Sequence, residues 1–304
     1  MWDLEVDVAC IGAGVGTLAS AISTVDLGAD VLLAIPSTER RAPASAVAVH
    51  RRVGGFLRSW SPTVTDAETG EYFAALSHGL ESIGVGAEDS GLPVREVSAV
   101  TADDRTIAPF VGANLREWNA KCLASQYGLL YTSLSDWRTK SMRASDGQSL
   151  EVQAVASIDS AELADGCTIS DWMLQKLRQR DVDMREHSAL ERIVFEDGRV
   201  VGVVLATPDG PLRVGVRHGL SVSGRDPFVA PADQLVAPSG PDGLQVCIVG
   251  QSASRFFRVE MLDTVAAEFP VKPMCTASGR QLLAGLRVPP GALPSSAGRC
   301  REVR

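Results

Sequence analysis

Apolar and polar positions alternate between two periods along the start of the chain. Val6-Asp7-Val8-Ala9-Cys10-Ile11 is a short apolar run suited to a buried parallel strand. After Gly12-Ala13-Gly14-Val15-Gly16-Thr17, residues Leu18, Ile22 and Val25 recur at helical spacing as far as about Asp26. Gly28 stops that helix, and Val31-Leu32-Leu33-Ala34-Ile35 is a second buried strand ending at Pro36. The pattern predicts a strand–helix–strand unit. Helical character over residues 66–80 and 113–125, where Leu115, Trp118 and Cys122 share a face, predicts a partly helical insertion across 37–155.

Further along, Ser170 is read as the N-cap of a helix running to about residue 180. Residues 190–195, 200–207 and 212–216 then read as strands. Glu196-Asp197-Gly198 and Pro208-Asp209-Gly210 join them with strong turn chemistry, which predicts a β-meander. A further buried strand is expected over 219–224, another strand over 243–249, and a helix over 253–267. From residue 289 the chain is rich in Pro, Gly, Ser and Arg, a composition expected to stay disordered. The fold class expected is therefore α/β. Residues 1–36 and 156–288 would form a discontinuous nucleotide-binding domain, 37–155 an inserted, cap-like lobe, and 289–304 a tail.

Composition narrows the function without naming it. The 304 residues carry 29 basic and 37 acidic side chains, a net charge of -8, which disfavours non-specific binding to nucleic acid or anionic lipid. No apolar run is long enough to span a bilayer, and the acidic start Met1-Trp2-Asp3-Leu4-Glu5 is unlike a secretion signal. A cytoplasmic chain is expected, with no membrane or nucleic-acid partner. The six cysteines and four histidines are scattered, so neither a disulfide framework nor a metal site is expected.

The glycine-rich turn carries the strongest chemical signal. In a strand-to-helix turn of this kind the first glycine permits the bend and the second lets a diphosphate approach the backbone. The third lets the helix pack on the strand, and the helix N-terminus presents partial positive charge. Gly12 and Gly14 take the first two places and Thr17 the third, with Gly16 an additional small residue. The acidic residue that normally receives the ribose hydroxyls, about 20 residues on, falls at Ile35. Each charge-assisted hydrogen bond lost there costs about 1.5–3 kcal/mol, so the site is expected to be weakened.

Two blocks resemble the flavoprotein family of fumarate reductases, succinate dehydrogenases and 3-ketosteroid dehydrogenases. One is Asp7-Val8-Ala9-Cys10-Ile11-Gly12-Ala13-Gly14-Val15-Gly16-Thr17-Leu18 through Gly28-Ala29-Asp30-Val31-Leu32-Leu33. The other is Glu191-Arg192-Ile193-Val194-Phe195-Glu196-Asp197-Gly198-Arg199-Val200-Val201-Gly202-Val203, ending at Leu220-Ser221-Val222-Ser223-Gly224. The resemblance implies a Rossmann-like FAD-binding domain with a β-meander, and an oxidoreductase acting on CH–CH bonds of a steroid-like or dicarboxylate substrate. It implies cofactor contacts from Gly12, Ala13, Gly14, Val15, Gly16, Thr17, Ile35, Ser45, Ala189, Leu190, Ser223 and Gly224. Ala42-Pro43-Ala44-Ser45 stands where the family has Gly-Gly-x-Ser, and Ser223-Gly224-Arg225 replaces its Thr-Gly-Gly turn.

No catalytic residue can be carried over. Tyr72, Tyr127 and Tyr131 lack the family's surrounding motifs; Tyr127 and Tyr131 read as packing residues with their polar tips at a surface. Arg255 and Arg258 read as a solvated helix face, His187 and His218 as strand-edge residues, and the cysteines as small core residues. The alternative expectation is a non-catalytic flavoprotein-fold subunit or scaffold that has lost tight FAD binding and works with a partner chain.

Overall fold

In the computed structural model, residues 1–37, 64, 66–80, 92–99, 112–133, 139–158, 168–223 and 245–264 are described. They form a mixed, sheet-rich fold with few helices. The first unit is β1 (Leu4–Ile11), α1 (Val15–Asp26) and β2 (Val31–Ile35). Ile11 and Ala34 are neighbours in its parallel pairing. The helix starts three residues before the periodic apolar positions, directly behind Gly14. The span from 37 to 158 contributes α2 (Ala67–Ser77), β3 (Val94–Ala99), α3 (Gly112–Ala124), β4 (Gly128–Tyr131), β5 (Lys140–Ala144) and β6 (Ser149–Ser157). All four of these strands belong to the same sheet as β1 and β2.

Next comes α4 (Ile169–Gln179), capped by Thr168 rather than Ser170. The Thr168 hydroxyl accepts the Asp171 amide at 3.1 Å and donates to the Asp171 carboxylate, satisfying a donor that the helix itself cannot. The remaining strands are β7 (Asp183–Glu186), β8 (Ala189–Glu196), β9 (Arg199–Thr207), β10 (Gly210–Val222), β11 (Gln245–Gly250) and β12 (Phe256–Thr264). The meander is present as β8-β9-β10. Its third strand and the strand expected over 219–224 are one element, bent at Gly219, whose φ is 104°. The helix expected over 253–267 is instead β12. The tail beyond 289 lies outside the described residues.

Strands β7, β2, β1 and β10 run parallel, and β4 joins antiparallel to β10. Beyond it β12 pairs with β4 and then with β3, while its other edge pairs with β11. Because β3, β5, β6 and β11 are also paired in succession, these four strands and β12 close into a ring. Apolar side chains fill both faces of the sheet. One face holds Val6, Ala9, Leu130, Phe256, Leu262 and the meander under α2 and α3. The other holds Val8, Leu33, Leu129, Val259 and Met261 under α1 and α4. Helix α1 is buried from Val15 to Thr24, and its small residues Gly16, Ala19, Ser20 and Ala21 let it lie between sheet and α4. No helix among the described residues is long and apolar enough to cross a membrane.

Candidate functional site

The turn from β1 into α1 is built around three glycines with different tasks. Gly12 has φ 125°, and a Cβ there would lie 2.5 Å from the Ser223 carbonyl oxygen and 3.2 Å from the Thr17 hydroxyl. Only glycine fits. Its amide donates to the Ala34 carbonyl at 2.9 Å, which places the end of β2 beside the turn. Gly14 is the N-cap, in extended conformation, and supplies no side-chain acceptor. Gly16 faces β4: a Cβ there would lie 2.7 Å from the Gly128 carbonyl oxygen and 2.9 Å from the Leu129 Cβ. Close packing of helix on sheet therefore falls to Gly16, and Thr17 does something else. Its hydroxyl lies 3.3 Å from the Ile11 carbonyl oxygen and is hydrogen-bonded to the Ser223 hydroxyl, tying α1 to the end of β10. The Ser223 amide donates to the Ile11 carbonyl at 3.1 Å.

This arrangement leaves backbone donors over. Thr17 and Leu18 both donate to the Gly14 carbonyl, but the amides of Val15 and Gly16 meet no acceptor among the described residues. The first turn of α1 carries no acidic residue, so nothing there offsets the positive end of its dipole. A diphosphate oxygen supplies what such a helix start lacks: negative charge and acceptors for two amides. The glycine geometry is compatible with that group, since the turn that sets these amides can close against Ser223 and Thr17 only with no side chain at position 12.

The other expected contacts divide. Gly12, Gly14, Val15, Gly16, Thr17 and Ser223 come together at this turn and are buried, with Ala13 half-buried. Ile35 ends β2 as a half-buried apolar side chain. Ala189 and Leu190 open β8 immediately after Ser188, whose amide donates to the Ile35 carbonyl at 2.9 Å, so they too adjoin the end of β2. Ser45 and Gly224 lie outside the described residues.

The residues set aside as packing groups are more deeply placed than their pattern suggested. Tyr127 and Tyr131 have no surface tip; both are buried, at 3% and 1% exposure. Burial pushes the Tyr131 phenol well above its ordinary range and the Cys10 thiol up to about 12. Neither ionises near neutral pH. Arg255 and Arg258 lie on and beside β12 rather than on a solvated helix. Arg255 donates to the Thr132 carbonyl at 2.8 Å and to the Tyr72 hydroxyl at 3.2 Å. Burial raises the Tyr72 phenol, with Arg255 opposing. Arg258 donates to Glu260 and lies over the Trp118 ring. Glu260 is fully buried and also receives two hydrogen bonds from Arg95, at 2.8 and 3.2 Å. That carboxylate escaped the sequence reading, although a Glu inside Phe256-Phe257-Arg258-Val259-Glu260-Met261-Leu262 is a signal in itself. His187 and His218 are exposed. No cluster of three or more metal-ligating side chains occurs among the described residues.

No protein-family model matches the chain, and no curated protein matches it. Solved structures do. A 3-ketosteroid-Δ4-(5α)-dehydrogenase from Rhodococcus jostii RHA1, in complex with 4-androstene-3,17-dione, is 17% identical over 72% of this chain and 46% of its own, with a TM-score of 0.29. A myxobacterial chondrochloren halogenase, a variant of FAD-dependent halogenases, is 16% identical over 70% of this chain and 36% of its own, at 0.27. An aklavinone-11 hydroxylase, in ternary complex with FAD and aklavinone, is 18% identical over 71% and 32%, at 0.25. The chain spans less than half the length of each of these structures. At such scores the likeness assigns no family.

Proposed function

We propose that this chain binds FAD, its diphosphate seated on the amides that open α1, and that it is an oxidoreductase of the flavoprotein type. The observation that carries the reading is the pair of amides, Val15 and Gly16, that meet no acceptor among the described residues, at a helix start set by the tight turn at Gly12. In this reading Gly12 permits the tight turn and Gly14 leaves the helix start without a side chain of its own. Gly16 holds the helix close to β4, and Thr17 with Ser223 fixes the distance between α1 and β10. When bound, the flavin accepts or donates hydride, here with a CH–CH bond of a steroid-like or dicarboxylate substrate. The chain's own part is to bind, orient and desolvate.

Ile35 favours a second reading. An apolar side chain where a carboxylate is usual weakens adenosine binding, as expected of a non-catalytic subunit that works with a partner chain. One experiment separates the two. The protein is purified under native conditions, its visible spectrum is recorded, and FAD is titrated by flavin fluorescence quenching and thermal shift. A yellow protein, or quenching with a raised Tm, supports FAD binding; a colourless protein that ignores added FAD overturns it. Bound flavin without turnover of an acceptor dye on steroid or dicarboxylate substrates, together with a stoichiometric second chain, establishes the subunit instead.

A further inference from the structure

A dinucleotide held at this turn needs an acceptor for the hydroxyls of its adenosine ribose, and the end of β2 does not offer one. Ile35 is apolar. Asp30 opens β2 at its other end, where its amide is held by the Asp7 carboxylate at 2.9 Å. The neighbouring strand does carry an acceptor. β7 runs parallel to β2 in the register Leu33 with Met184 and Ile35 with Glu186. Side chains alternate along a strand. Ile35 and Met184 both pack against the apolar layer beneath α1 and α4, so Glu186 stands on the same face as Ile35, one strand spacing away, about 4.8 Å.

The chain after Glu186 fixes that placement. His187 takes a left-handed conformation, φ 56°, and turns the chain back over the end of β2. Ser188, 1% exposed, then donates its amide to the Ile35 carbonyl at 2.9 Å, and its hydroxyl to the Glu186 carbonyl at 3.2 Å. The Glu186 backbone is thus tied to the strand end that also receives the Gly12 amide through Ala34. Its carboxylate is exposed and has no hydrogen-bond or ion-pair partner among the described residues. The adjacent Arg185 is taken by Asp183 at 2.8 Å.

We infer that Glu186 is the ribose anchor of this site, its carboxylate accepting the adenosine 2′ and 3′ hydroxyls from β7 in place of the acid missing from β2. The inference rests on the dinucleotide reading above. It also sets the ligand class: a dinucleotide with a free ribose diol, since a phosphate on the 2′ oxygen would meet a carboxylate.

Calorimetric titration with ADP and with 2′-deoxy-ADP tests it, on the whole chain and on Glu186→Gln and Glu186→Ala. The wild-type protein is expected to prefer ADP about ten- to a hundred-fold, the value of a hydrogen bond to a charged group. In Glu186→Ala that preference should vanish, ADP losing both hydroxyl contacts and 2′-deoxy-ADP, which keeps its 3′ hydroxyl, losing one, and Glu186→Gln should fall between. A misfolded variant would bind neither ligand, so the loss of preference is read only where binding of 2′-deoxy-ADP persists. If the variants keep the wild-type preference, Glu186 is not the anchor and the dinucleotide reading stands. If the wild-type protein binds neither ADP nor FAD, both fall together.

Discussion

A methyl group at position 12 has no room. It would sit 2.5 Å from a backbone oxygen of Ser223, on a residue whose φ of 125° L side chains rarely adopt. The conformation costs about 1–3 kcal/mol, and forcing atoms into a packed site adds about 1–3 kcal/mol. Gly147 separates the two costs, because its φ is also positive, at 84°, but a Cβ there meets nothing within 4 Å. Gly12→Ala is therefore expected to lower the unfolding free energy by about 2–6 kcal/mol and to abolish FAD quenching. Gly147→Ala should lose only about 1–2 kcal/mol and keep quenching. Urea midpoints at unchanged slope measure both. Equal losses at the two positions would show that the crowding against Ser223 contributes nothing, and that the cradle is looser than its geometry implies. Thr17 and Ser223 belong to the same tight corner.

Between elements, Asp7 joins three strands. From β1 its carboxylate accepts the Asp30 amide that leads into β2 and the Arg217 guanidinium on β10, each at 2.9 Å. The Asp30 amide foremost, and Arg217 after it, hold this carboxyl below its ordinary range. A depressed folded-state pKa favours the charged form, so its stabilisation is present above the unfolded value, about 3.9, and is lost as pH falls through the folded one. Asp7→Asn should thus unfold at lower urea than the wild type at neutral pH, and the gap should close as the buffer is taken below about pH 4. A gap that stays constant into acid would mean the charge of Asp7 is not what joins the strands. The strand–helix–strand unit that carries Asp7 was legible in the sequence, because β1, α1 and β2 are marked by local turn chemistry at Gly12, Gly14 and Gly28. The strand β12 was not. Phe256 and Leu262 face one apolar layer, Val259 and Met261 the other, and a strand buried on both faces lacks the polar alternation that separates strand from buried helix. The same limit hid Glu186, whose place beside Ile35 comes from a register between strands far apart in sequence, and Glu260, whose partner Arg95 arrives from β3.

At the scale of the molecule, β12 is where the parallel half of the sheet meets the closed ring. It lies against β4 with its first residues and β3 with its last, while β11 covers its other edge. Glu260 sits in that join, fully buried, with Arg95 and Arg258 as its cations. Removing the carboxylate takes the buried anion away from two guanidiniums whose side chains are only 19% and 13% exposed, and breaking a buried pair typically costs about 3–5 kcal/mol. If β12 couples the two parts, that cost cannot stay local. Two tryptophans report from opposite faces: Trp118 packs beside Arg258, and Trp172 lies in the layer under α1 and α4. In variants that keep one or the other as the sole tryptophan, Glu260→Ala should move both unfolding midpoints to lower urea by the same amount, as a single cooperative transition requires. A shift seen at Trp118 alone would show that the ring melts independently of the glycine turn. The cradle would then owe its shape to β1, β2 and β10 without help from the strand that closes the ring.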